Sequence, residues 1–144
     1  MATRATYGFY ARSEFKPSTT IYIHWDGYEE GAAHYYLNAL AWAFDNHGRL
    51  FFSVEDFIRA NDSAEITLNH ETHSDSEYRY DIVTQDRVGL NEYCLDDLIN
   101  VSRRTDYGSD EWTVSSYTIR ELIEKYHASK LHLLERALEE KHSQ

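Results

Sequence analysis

Within five positions the chain sets His24, Trp25, Asp26 and Tyr28, the side chains best suited to chemistry in the whole sequence. An imidazole beside a carboxylate can work as an oriented general base. On an extended strand, His24 and Asp26 share one side while Trp25 faces the other. The plainer reading packs Trp25 into the core and starts a turn at Asp26. His24 then bonds a neighbouring backbone group or Asp26 itself. A second group, His70-Glu71-Thr72-His73 with Asp75 and Glu77 close behind, holds metal-capable side chains. Zinc-protease chemistry needs histidines at i and i+4 around a Glu on a helix. Here the spacing is i and i+3 in a short polar stretch, which reads as an exposed loop, so no metal site is expected. Cys94 is the one cysteine, which excludes an intrachain disulfide and a Cys-based zinc site. No His or Lys lies near it in sequence to lower its pKa, and its context reads as a buried thiol. A Gly-rich phosphate loop, a G-x-S-x-G elbow and a Rossmann fingerprint are all absent. No cofactor is expected.

Charge narrows the partner class. The net charge is −11, and between Glu55 and Glu111 fifteen acids face five bases, all Arg. Phosphate backbones are bound by Lys and Arg, so direct nucleic-acid binding is not expected. A protein with a basic groove would be attracted instead, and the encounter would be fastest at low salt. Acidity also serves solubility alone. The twelve Tyr add to the picture. Tyr7, Tyr10, Tyr22, Tyr28, Tyr35, Tyr36, Tyr78, Tyr80 and Tyr93 are too many to share one core, and Tyr suits protein interfaces as well as half-buried strands.

These residues need elements to place them. At 144 residues the chain is read as a single domain, 1–144, with enough length to bury a core. Thr3 to Arg12 reads as a strand with Gly8 as a candidate bulge, and Thr19 to Trp25 as a second strand in a hairpin with the first. Gly31 to Asn46 has helical spacing, with Gly48 as the C-terminal cap. Ser53 and Asp56 suggest a capping box for a short helix to Ala60. Ala64 to Leu68 and Tyr78 to Thr84 are candidate strands joined by a polar turn over His70–Glu77. Leu90 to Leu95 is another candidate strand, residues Asp96 to Arg104 fit neither state well, and Glu111 to Tyr117 is the last strand. A capping box at Thr118 and Glu121 opens a helix to about Glu140, roughly 30 Å long. The order predicts an α+β fold: an antiparallel or mixed sheet packed by the helix after the turn and by the long C-terminal helix. His127, Leu131, Leu134 and Leu138 widen the apolar stripe of that last helix, so homo-oligomerisation is kept open. No signal peptide and no run of eighteen apolar residues is present, so a cytoplasmic, non-membrane protein is expected.

Thr3-Arg4 followed by Ile21-Tyr22-Ile23-His24-Trp25-Asp26-Gly27-Tyr28 resembles a family of small proteins encoded by phages and bacteria. Those proteins open with Met-x-Thr-Arg-Ser and carry a Tyr-x-His-Trp-Asp-Gly-Tyr-Pro core, a later glycine and a helix. The likeness covers about the first forty residues. Ala5 replaces the usual Ser, and Glu29 stands in place of Pro. Glu29 and Glu30 instead put acid at a helix N-terminus, where the helix dipole favours it. The family has no settled activity, so no catalytic role carries over. The resemblance implies a phage or prophage setting. Because small acidic phage proteins without enzyme motifs often counteract host defence, a counter-defence role in the host cytoplasm is the expectation by association.

Three functions follow as expectations. The first is an anti-CRISPR-like acidic inhibitor that docks on a basic nucleic-acid groove of a host defence complex, with Asp96, Asp97, Asp106, Asp110 and Glu111 as the acids and Tyr107 and Trp112 as anchors. It requires the carboxylates to gather on one exposed face. The second is an oligomeric sponge for a signalling nucleotide, with Arg4, Arg12 and Lys16 as cations, Trp25 or Tyr28 stacking on the base, and His24 and Asp26 nearby. The third is a small hydrolase or transferase using His24 and Asp26.

Overall fold

The computed structural model describes residues 3–10, 17–84, 92–106 and 109–143. Its architecture is α+β: a six-stranded mixed sheet, a small two-stranded sheet and three helices. Strand β1 (Ala5–Tyr10) pairs antiparallel with β2 (Thr19–Ile23) in the expected hairpin. Helix α1 (Glu29–His47) follows, ending on Gly48 in the left-handed conformation that glycine adopts without strain. β3 (Phe51–Ser53) leads into α2 (Val54–Ala60), which opens on the Ser53–Asp56 capping box. Then come β4 (Glu65–Thr67), a single 3-10 turn (His70–His73), β5 (Tyr78–Val83), β6 (Glu92–Cys94), β7 (Leu98–Arg104), β8 (Trp112–Thr118) and α3 (Ile119–His142). The large sheet runs β4-β2-β1-β5-β7-β8, with β1 and β5 parallel and every other pair antiparallel. β3 and β6 form the small sheet.

Alternation along the strands gives the large sheet two unlike faces. Ala5, Tyr7 and Phe9 pair with Ile23, Ile21 and Thr19 on one side and with Tyr78, Tyr80 and Ile82 on the other. Val101 and Ile99 extend the same face. Against it lie Ala32, Ala33, Tyr36, Leu37, Ala39, Leu40 and Ala43 of α1, all buried. The core is largely aromatic. Tyr7 stacks on Tyr80 with ring centres 5.0 Å apart, and Phe57 meets Tyr7 at 5.6 Å and Phe9 at 5.1 Å. Burial raises the phenol pKa of Tyr7, Tyr36 and Tyr80, so these hydroxyls stay protonated.

The opposite face is polar, and the 3-10 turn covers part of it. His70 bridges Thr6 (Nδ1 to Oγ1, 2.6 Å) and Asp81 (Nε2 to Oδ1, 2.7 Å). The His70–Glu77 stretch is exposed at Glu71, Thr72, Ser74 and Asp75, as expected of a loop, but His70 is buried because two strands supply its partners. Nor does it join paired strands, since β4 and β5 lie on opposite sides of the β2–β1 hairpin. Gly8 makes no bulge. Both its ladders run in register, and the space where its Cβ would go is taken by Asp81 and His70. Asp96 to Arg104, which fitted neither state, contains β7, whose register partners on both sides override its weak pattern. Leu90 of the expected third strand lies outside the described residues.

The C-terminal helix differs most from expectation. It opens on the Thr118–Glu121 capping box, then breaks at His127, whose φ of −140° and ψ of 39° are not helical. Arg120 binds both carboxylate oxygens of Glu135 at 2.9 Å. In one straight helix those residues would lie about 22 Å apart. α3 is therefore two arms folded against each other, and the second arm runs back along α1 until Lys141 lies over the Phe44 ring. Leu131 is fully buried, and Leu134 and Leu138 pack on the core, so the apolar stripe is used internally. Among the described residues no helix is long and apolar enough to cross a membrane. Truncating Leu131→Ala should cost about 2–5 kcal/mol in urea unfolding, while Leu133→Ala, on the exposed side of the same arm, should stay within about 0.5 kcal/mol.

Candidate functional site

The HWDGY turn is built from the core outward. Tyr80, fully buried in the sheet, donates its hydroxyl to the Gly27 carbonyl at 2.6 Å. The Gly27 N–H donates to the Thr3 carbonyl, and a Cβ on Gly27 would strike the Arg4–Ala5 backbone. Only glycine lets the turn lie this close to β1. Asp26 has a φ of 54°, the one positive value among described non-glycine residues. Gly31 sits where a Cβ would overlap the Asp26 carbonyl oxygen, so the first turn of α1 closes directly onto the turn before it.

This geometry sends the four motif side chains in different directions. His24 uses Nδ1 toward Arg4 Nε (3.2 Å) and the Tyr22 hydroxyl (2.9 Å), not toward Asp26. Arg4 in turn pairs with Asp75 at 2.7 Å, and Tyr22 stacks on His73 at 3.8 Å. Trp25 is 55 % exposed: the strand stops at Ile23, and the turn carries Trp25 away from the core. Asp26 accepts from the Tyr28 hydroxyl at 3.0 Å, and that hydrogen bond, with the Asp26 charge, raises the Tyr28 pKa. The His24–Asp26 acid–base pair is thus not assembled.

Asp26 and Tyr28 instead line a cavity of about 190 Å³ with Glu30, Gly31, His34, Tyr35 and His127. Sequence reasoning missed His34 and His127, because the break in α3 brings together residues far apart in the chain. Their rings lie 5.7 Å apart, and His127 Nε2 is 3.1 Å from the Glu30 carbonyl oxygen. Tyr35 donates to the Trp25 carbonyl; burial, then the Asp26 charge, raise its pKa to about 12. Burial first, then Lys130 and His127, lower the His34 pKa. Two carboxylates on the wall disfavour a phosphate-bearing ligand here. Arg4 is not among the lining residues, and Arg12 and Lys16 lie outside the described residues.

The acidic candidates divide. Asp97 is buried, and its carboxylate accepts from the Cys94 N–H at 2.8 Å, so it shapes the β6–β7 turn and does not face a partner. Cys94 itself is half-buried, not buried. Asp96 is exposed, but it lies at the far end of the β7–β8 hairpin from Asp106, Asp110 and Glu111, about 20 Å away along the strands. Trp112 is half-buried between the Arg79 and Arg104 guanidiniums, 4.4 and 4.5 Å from its ring centre. Arg104 also donates to the Ser74, Ser76 and Ser109 carbonyls. Trp112 is therefore an internal clamp and not a free anchor. Tyr107 lies outside the described residues.

Backbone hydrogen bonds connect Thr3 to Gly27, Arg4 to Glu77, Glu77 to Arg104 and Thr105 to Glu111. They place the HWDGY turn and the β7–β8 loop at the same end of the sheet. Exposed Asp26, Asp75, Asp106, Asp110 and Glu111 thus share an end about 19 Å wide with exposed Trp25 and Tyr28. Arg4 and Arg103 are interspersed among them.

Two other clusters match their own charges. A cleft of about 480 Å³ beside the end of α1 holds Arg49 with Glu92 (3.6 Å), Arg59 with Glu55 (2.9 Å) and His47 with Asp56 (3.4 Å). Glu124, His132 and Glu135 have donor atoms within 4.8 Å of one another, the one such trio among the described residues. Arg120 already engages Glu135 and lies 3.7 Å from Glu124. No protein-family model, curated protein or solved structure matches the chain.

The cavity yields two expected outcomes. Gly31→Ala should destabilise the protein by about 1–3 kcal/mol in denaturant unfolding, because backbone, not a mobile side chain, blocks the new methyl. With the His34 pKa lowered in the folded state, the unfolded chain binds the proton first as pH falls. Stability then drops as pH falls through the ordinary histidine value of 6.5 toward the lower folded value. Thermal melts between pH 8 and 5 should show a shallower decline in His34→Gln than in the parent.

Proposed function

We propose that this protein is a non-catalytic binding protein that presents one end of its sheet to a basic groove on a host protein. The observation that carries this is the exposed group of Asp26, Asp106, Asp110 and Glu111 beside Trp25 and Tyr28, with Asp75 next to them but paired to Arg4. Carboxylates gathered at one end of the sheet attract a cationic surface from a distance. Exposed aromatic rings add contact area at little entropic cost. The resemblance of the HWDGY segment to phage-encoded proteins points to a defence complex with a nucleic-acid groove, such as a CRISPR effector, as the partner class. Occluding that groove would block its nucleic acid without any reaction. In this reading Asp96 and Asp97 drop out of the contact surface, and Trp25 and Tyr28 replace Trp112 as aromatic anchors.

The test is a pull-down from a defence-carrying bacterial lysate at several salt concentrations. A basic protein should be retained at about 50 mM salt and released by about 200 mM. The double reversal Asp110→Lys and Glu111→Lys should weaken retention about tenfold or more, whereas Asp45→Lys on the exposed side of α1 should not. Retention indifferent to both salt and charge reversal would sink this proposal.

A further inference from the structure

The large sheet ends in two unlike edges. β4 is three residues long and includes Glu65, and a short edge bearing charge resists pairing with another chain. β8 is seven residues long, and from Trp112 to Thr118 it contains no charged residue, no Pro and no Gly. Its register against β7 runs without a slip from Leu98↔Thr118 to Arg104↔Trp112, so no bulge turns the edge away. Thr113, Val114, Ser115 and Ser116 are exposed, and among the described residues no strand lies on the outer side of β8. Among the described residues, β8 thus has no charge, Pro or bulge to protect its edge.

We propose that β8 pairs antiparallel with β8 of a second copy of this chain, joining the two large sheets into one. A two-fold axis through Ser115 sets Val114 opposite the partner's Ser116, Thr113 opposite the partner's Tyr117 and Trp112 opposite the partner's Thr118. Every one of these pairs is neutral, and aromatic or β-branched pairs with Thr favour a ladder. Charge singles out a second copy as the occupant. Two chains of net charge −11 repel, and like charges facing each other across a ladder destabilise it. β8 is an edge where self-pairing sets no carboxylate against another. A basic partner gains nothing from it, because the strand offers no charge to match. The apolar residues of α3 do not compete for this role: Leu131, Leu134 and Leu138 are packed on the core, leaving Leu133 exposed.

The contact is small, so association is expected at about 10–100 μM protein. In sedimentation velocity the average mass should rise toward that of two chains over this range. Association should strengthen with salt as repulsion is screened, opposite in sign to docking on a basic partner, so either proposal can fail alone. Val114→Lys should weaken self-association at least tenfold, and Val114→Thr should preserve it. Amide exchange on the wild-type chain gives a check that needs no variant. Exchange over residues 112–118 should slow with protein concentration while that around Leu133 does not change. A single-chain mass throughout the range, a dimer indifferent to Val114→Lys, or concentration-dependent protection in α3 in place of β8 would overturn the assignment.

Discussion

The Tyr80 hydroxyl and the Gly27 carbonyl meet inside the protein at 2.6 Å, and the arrangement of the candidate site depends on that bond. Tyr80 is held between Tyr7 and Tyr78, with parallel rings at 5.0 and 5.9 Å, so its hydroxyl has little freedom to move. A buried carbonyl without a partner is costly, which ties the turn to the middle of the sheet. With Gly27 fixed, Asp26 takes a left-handed conformation, Trp25 is turned outward, and α1 starts hard against the turn. The glycine and the aspartate of the motif thus serve the backbone first, while Trp25 and Tyr28 are left exposed to touch something else.

The break in α3 is the second constraint. A straight helix would have left one side of α1 open. The Arg120–Glu135 pair holds the two arms together, and His127 at the bend reaches the Glu30 carbonyl. The resulting cavity joins the motif turn to the C-terminal element. Its histidines share a wall with Asp26 and Glu30, which makes it a poor receptacle for phosphate.

Much of the fold was legible locally. The capping boxes at Ser53 and Thr118, the Gly48 cap and the alternation of Ile21 and Ile23 with Tyr22 and His24 each report a short-range rule, and each is present in the structure. The candidate site was less legible. His70 looked like a loop residue because its partners, Thr6 and Asp81, come from two other strands. Asp97 looked like surface because its carboxylate binds a backbone N–H that composition cannot reveal. Trp112 looked like an anchor because Arg79 becomes its neighbour only through β7.

By itself the sequence determined most element types, the α+β class and the net negative charge, since propensity, capping and charge are properties of neighbouring residues. Tertiary structure alone decided which carboxylates share an end of the sheet, which histidines meet at a cavity and which strand is left as an edge. Those outcomes depend on contacts between residues tens of positions apart. They are set by strand order and by one helix folding back, and neither leaves a periodic trace in the chain.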